Sequence, residues 1–226
     1  MPARVSYPGA EQFLPGSCEL DQLRQAATGC EGCDLYERAT QVVFGAGSAG
    51  ASIMLVGEQP GDVEDQRGEP FVGPAGAVLH RALADAELGD VPAFVTNAVK
   101  HFRWKETRGK RRIHDKPSVA QSNACRPWLA AELRAVQPRF IVALGATAAG
   151  SLFGSSFRLT HARGALLPWP PEKGDFTADD TPVEAALATI HPSAVLRAQT
   201  DDREAAYDGL VSDLRVAARY LSSAAG

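Results

Sequence analysis

Four short apolar runs separated by helix-length segments constrain this chain more than any other feature. They are Ser52 to Gly57 (SIMLVG), Ala93 to Asn97 (AFVTN), Phe140 to Gly145 (FIVALG) and Ala185 to His191 (AALATIH). Their apolar residues run consecutively rather than alternating, as expected of strands buried on both faces in a parallel sheet covered by helices. Helical periodicity lies between and around them, over Leu20 to Ala27, Gly73 to Leu88, Ser118 to Val136, Ala146 to Phe153 and Arg203 to Leu221. In the last of these, Ala206, Leu210, Leu214 and Ala218 recur at helical spacing. The alternation predicts an α/β fold, a three-layer α/β/α sandwich with a central four-stranded parallel sheet. With 226 residues, 45% of them hydrophobic, and no low-complexity linker, the chain suits a single domain over 1–226. An N-terminal helical segment over 1–45 and a basic loop over 100–117 complete this division.

Ligands of such folds bind beyond the carboxyl ends of the strands. Those ends read Gly57-Glu58-Gln59-Pro60-Gly61, Asn97, Gly145-Ala146-Thr147 and His191-Pro192-Ser193. Three strands thus bring a carboxylate, an amide and an imidazole to one rim. The turn GEQPGD is glycine-rich, yet it has neither the Lys-Ser/Thr ending of a phosphate loop nor the spacing of a dinucleotide fingerprint, which excludes both. In Gly68 to Gly76 (GEPFVGPAG), Phe71 is either a core or lid aromatic or a platform for a planar ligand.

The formal charge of −4 argues at first against a polyanionic partner, but the charge is unevenly placed. From Lys100 to Lys116 (KHFRWKETRGKRRIHDK) eight Lys or Arg face only Glu106 and Asp115, a balance of +6 that leaves −10 for the rest. A basic loop on an acidic body is the footprint of a polyanion site, although a solvated basic loop would look the same. No run is long and apolar enough to span a bilayer, and no basic-then-apolar leader opens the sequence, so a cytoplasmic protein with no membrane partner is expected. Four cysteines are too few for a disulfide scaffold in a chain of this size. Cys30 and Cys33 form C-E-G-C and Cys125 adds a third thiolate, a set compatible with zinc, a redox pair or an iron–sulfur cluster; Cys18 stands outside it as a free thiol.

In order along the chain, GEQPGDVEDQRGEPFVGPAG, VTNAVKHF, ACRPWL, VALGATAA and HPSAVLR resemble the uracil-DNA glycosylase superfamily, specifically its iron–sulfur family-four branch, from about Cys30 to Arg197. Two departures stand out. His101 occupies the place where ordinary family-four enzymes carry a Cys, and the segment Lys110 to His114 (KRRIH) is additional. Both resemble the UdgX class, which binds uracil in DNA and becomes covalently attached to the sugar through the His of that loop. The resemblance implies a [4Fe-4S] cluster held by Cys30, Cys33, Cys125 and His101, with two of these ligands in the N-terminal segment; zinc on the same residues stays open.

The resemblance likewise implies the roles of the rim. Uracil-containing DNA, with single strands accepted, is the expected partner of a chain acting as a monomer, and the target nucleotide must be flipped out of the stack. Asn97 would read the uracil edge, Phe71 would stack on its face, and backbone groups around Gly57 and Gln59 would contact it. His191 would donate a hydrogen bond to uracil O2 as charge develops there. Glu58 would stabilise the sugar cation or orient a nucleophile. Lys110, Arg111, Arg112 and Arg197 would contact DNA. Each residue also has a plainer reading: Asn97 as a strand-end turn, Glu58 as a helix-terminal charge, His191 as a cap, and Arg197 as a surface ion pair. If His114 is held near C1′, a tethered imidazole outcompetes water, since effective molarities of roughly 10⁵ to 10⁸ M exceed the concentration of the solvent. The expected outcome is glycosidic cleavage ending in covalent capture of C1′ by His114, a single-turnover event in DNA repair. The alternatives are a multiple-turnover glycosylase in which Glu58 activates water, and a non-catalytic module for damaged or single-stranded DNA.

Overall fold

The computed structural model describes residues 6–106, 112–172, 176 and 182–223. After α1 (Leu20–Ala27), the chain enters the sheet through β1 (Ile53–Gly57) and passes through α2 (Asp62–Arg67) and α3 (Pro74–Asp85) to β2 (Ala93–Asn97). A hairpin follows, β3 (Trp104–Glu106) and β4 (Arg112–His114), then α4 (Val119–Val136), β5 (Phe140–Leu144) and α5 (Ala146–Phe153). The remaining elements are α6 (Leu159–Ala162), β6 (Leu166–Pro168), β7 (Ala185–Thr189), α7 (Pro192–Arg197) and α8 (Thr200–Ser223).

The four predicted strands form the parallel part of the sheet, whose order is β2-β1-β5-β7-β6. The sheet therefore has five strands rather than four. The fifth, β6, pairs antiparallel with β7 at the edge. Its sequence, Leu-Leu-Pro, is too short to show a period, and a proline is tolerated there because an edge strand can leave one backbone donor unpaired. The β3–β4 hairpin, expected as an irregular loop, pairs Trp104 with His114 and Glu106 with Arg112 in a separate two-stranded sheet.

Alternate residues of each central strand supply two separate cores. Met54, Val56, Ile141, Ala143, Ala186 and Ala188 pack with α1, α4 and α5. Ile53, Leu55, Phe140, Val142, Leu144, Ala185 and Leu187 pack with α3, α7 and α8. This is why the strand sequences are apolar throughout: neither face meets water. Since α3 follows β1 on one face and α5 follows β5 on the other, the chain reverses direction between these neighbouring strands, and a crevice opens beyond their carboxyl ends. Among the described residues, no helix is long and apolar enough to cross a membrane.

Candidate active site

A cavity of about 540 Å³ occupies this crevice. Its wall includes Glu58 and Gln59 after β1, Asn97 at the end of β2, Gly145 to Thr147 after β5, and His191 after β7, together with Phe71, His114 and Arg197. Catalytic and base-reading candidates from the sequence thus converge, although they are spread over more than a hundred residues of chain. Two glycines make the convergence possible. A Cβ at Gly57 would overlap both Asn97 Oδ1 and the Phe71 ring, and one at Gly145, whose φ is +95°, would crowd His191 Cβ at 3.0 Å. Phe71 itself sits at φ 55°, a strained conformation for a non-glycine residue, with its ring buried in the cavity wall. Its ring faces that of His191, nearly parallel at a centroid distance of 6.0 Å.

The state of His191 follows from its contacts. Its Nδ1 accepts the backbone N–H of Ser193 at 3.1 Å, capping α7, and lies 2.7 Å from Ser193 Oγ. A backbone N–H can only donate, so in the neutral ring the proton resides on Nε2, which is left as a donor. Burial, aided by the charges of Arg197 and His114, pushes the imidazole down to about 4 and keeps it neutral at physiological pH. His191 is therefore both a cap and an aligned donor.

His114 ends β4 at the cavity mouth, and its Nε2 lies 3.4 Å from Glu58 Oε1. Burial lowers its pKa, Glu58 opposes that shift, Arg197 reinforces it and Asp115 opposes it. The hairpin that carries it is fastened at three places. The Gln59 amide donates to the carbonyls of Arg103 and Asp115 and accepts the Arg103 N–H at 3.0 Å. Arg112 is gripped by Asp62 and Asp65, each at 2.6 Å. Trp104 Nε1 donates to the Arg38 carbonyl at 3.0 Å, beneath the Arg38 guanidinium.

The basic run is consequently less available to a polyanion than its composition suggests. Arg112, expected to contact DNA, spends its guanidinium on two carboxylates and holds the hairpin. Lys100 is fully buried against Glu132, and Arg103 pairs with Asp115 at 3.0 Å. Lys110 and Arg111 lie outside the described residues. Arg197 is exposed at the cavity rim, and Lys116 also lines it. The side chain of Gln59 is likewise committed to the hairpin, leaving its backbone for a ligand. Sequence reasoning missed Asp62, Asp65 and Thr40, whose hydroxyl and N–H both donate to Asp65. No local signal connects residues that far apart in the chain. Ser193 was visible in the HPS motif, but its effect on the tautomer was not.

Cys30, Cys33, Cys125 and His101 are all buried, the three cysteines in the core that also contains the buried face of α4. Trp128 Nε1 donates to Cys30 Sγ at 3.2 Å and the Lys100 backbone N–H to Cys125 Sγ at 3.3 Å. Burial raises the Cys33 thiol to about 11 and the Cys125 thiol to about 12, the latter also sensing Cys33 and Cys30. His101 is lowered to about 4 by burial and is neutral, with Asp65 pulling the other way. Among the described residues, no three such side chains gather tightly enough to hold one metal ion. Cys18 is exposed and apart from the set.

Residues 44–215 match a family described as the uracil DNA glycosylase superfamily. The chain is similar to the type-4 uracil-DNA glycosylase of Thermotoga maritima, 32% identical over 174 residues, or 76% of this chain and 81% of the relative. The corresponding protein of Pyrobaculum aerophilum is 33% identical over 181 residues, 79% of this chain and 85% of the relative. That of Archaeoglobus fulgidus is 37% identical over 134 residues, 59% of this chain and 63% of the relative.

Proposed function

The chain belongs to the uracil-DNA glycosylase superfamily, and from that premise we propose that it excises uracil from DNA and is then captured covalently by the exposed sugar through His114, as in the UdgX class. The observation that carries the reading is the placement of His114 Nε2 against Glu58 at the mouth of the cavity.

The flipped base enters between Phe71 and the strand ends, where Asn97 offers both a donor and an acceptor to the uracil edge. As the C1′–N1 bond breaks, its electron pair leaves with uracil, and His191 Nε2–H donates to O2 where the negative charge collects. Glu58 faces the cationic sugar. The His114 imidazole, neutral because burial lowers its pKa, then forms a bond from Nε2 to C1′ while Glu58 takes the proton from that nitrogen. Uracil leaves as its anion and the product is a neutral N-alkyl imidazole. Water at the same position would give an ordinary abasic site, but it is neither tethered nor aligned. The anchoring of the hairpin by Gln59, Asp62 and Asp65 supplies the alignment that effective molarity requires.

The buried thiols fit a [4Fe-4S] cluster. N–H donors point at two of the three sulfurs, as around cluster thiolates, and the neutral His101 has the protonation state a ligand needs. Cys30, Cys33, Cys125 and His101 would hold such a cluster, which would tie the N-terminal segment to α4; the reaction above uses none of its chemistry.

A uracil-containing single-stranded oligonucleotide, incubated with the protein and run on a denaturing gel, tests the proposal. A shifted band that survives SDS and heat is expected, and His114→Ser should abolish it, leaving abasic product. Catalytic release of uracil by the unaltered protein points instead to the conventional glycosylase, and no reaction at all to the binding module.

A further inference from the structure

The end of β2 sits on a buried ion pair that the chemistry above does not use. Lys100 and Glu132 are both fully buried and 2.7 Å apart. All three ammonium hydrogens have acceptors, since Nζ also donates to Thr96 Oγ1 at 2.8 Å and to the Asn97 carbonyl at 2.7 Å. Glu132 receives the Thr96 hydroxyl and the Gly45 N–H in addition. An ion pair this deep rarely adds stability over an apolar pair of similar volume, so its retention calls for a reason other than folding energy.

Its position supplies one. Asn97 is the last residue of β2, and the Ala98 N–H already bonds to the Gly57 carbonyl at 2.8 Å. With the Asn97 carbonyl fixed by Lys100, both sides of that peptide plane are tied down. The direction in which the Asn97 side chain leaves the backbone is thereby set, against a Gly57 that has no Cβ to displace it. We propose that Lys100, Glu132 and Thr96 form a positioning network for Asn97, governing how tightly the cavity holds the uracil base while leaving its hold on the DNA backbone alone. This rests on the reading of Asn97 as the residue that contacts uracil.

The test compares two ligands in the full-length protein: free uracil, by its inhibition constant, and an oligonucleotide bearing a tetrahydrofuran abasic analogue, by its dissociation constant. Removing the network as a unit, Lys100→Met with Glu132→Leu and Thr96→Val, should weaken free uracil at least tenfold and change abasic-analogue binding less than twofold. Asn97→Ala provides the reference loss. If the triple variant does not fold, the isosteric Glu132→Gln carries the same comparison, with a smaller loss in the same direction. Unchanged uracil affinity in a folded variant, or equal losses for both ligands, overturns the inference while the pocket reading stands. If Asn97→Ala itself leaves uracil affinity unaltered, the reading of the pocket fails and the inference with it.

Discussion

The pKa of both cavity imidazoles is lowered, and in the proposed reaction they have different tasks. There His191 donates from Nε2, its tautomer set by the Ser193 N–H. In the proposed reaction His114 offers nitrogen to carbon, and burial, reinforced by Arg197, lowers its pKa below the ordinary histidine value and so favours the deprotonated ring. Adduct formation should therefore hold its neutral-pH rate below about pH 6.5, the ordinary value for histidine, and decline only as the lowered pKa is passed. Glu58→Gln removes both the proton acceptor and a charge that raises the His114 pKa. Single-turnover kinetics should show a fall of about 100-fold in rate with the acidic limb moved to lower pH; an unchanged limb would separate Glu58 from His114. For His191 the unfolded chain binds the proton first as pH falls below about 6.5, so the stability tied to its neutral form is complete above that value. It is lost as the pH drops toward about 4. Denaturant titrations at pH 7 and pH 5 should show a smaller pH-dependent loss for His191→Asn than for the unaltered protein.

Helices α1, α3, α4, α5 and α8 and the central strands were legible because their patterns, helical spacing and continuous apolar runs, are local, whereas α2, α6 and α7, of four to six residues, are too short to show one. Trp128, Leu129, Leu133 and Val136 mark one buried face of α4, and Ser118 with Gln121 forms the capping box at its start. The hairpin was not legible. Its strands are three residues each and rich in charge, and what holds them is Gln59, Asp62 and Asp65, contributed from the other side of β2. The ion pairs of Arg112, for which the resemblance implies a DNA contact, with Asp62 and Asp65 have no local signature either. Asp65 is fully buried and receives Arg112 and Thr40 together. Asp65→Ala should cost about 2 kcal/mol of stability, measured by denaturant unfolding, because it leaves Arg112 with Asp62 alone and removes the acceptor of the Thr40 N–H and hydroxyl. Gln59→Ala costs less, about 1 kcal/mol, yet should lower the fraction of reactions that end in adduct, as the hairpin loses its tie to the loop after β1. Equal adduct yield in that variant would mean that the hairpin is positioned without it.

At the scale of the whole molecule, the −4 net charge averages a +6 run against a −10 remainder, and part of that run is paired internally. Affinity for a single-stranded oligonucleotide should respond accordingly to salt. Arg197→Gln is expected to lower the slope of log affinity against log salt by about 0.7, the value of one phosphate contact on a single strand, and Arg112→Gln to change it little. The rim of the sheet was predictable because strand ends in this architecture converge by topology, whereas the proposed capture rests on a hairpin whose anchoring is purely tertiary. Whether His114 bonds to C1′ is read by peptide mass spectrometry after reaction with excess uracil-containing oligonucleotide. About one uracil should be released per protein molecule, with the peptide containing His114 carrying the abasic nucleotide. Uracil released in large excess over protein, with that peptide unmodified, would contradict the proposed capture.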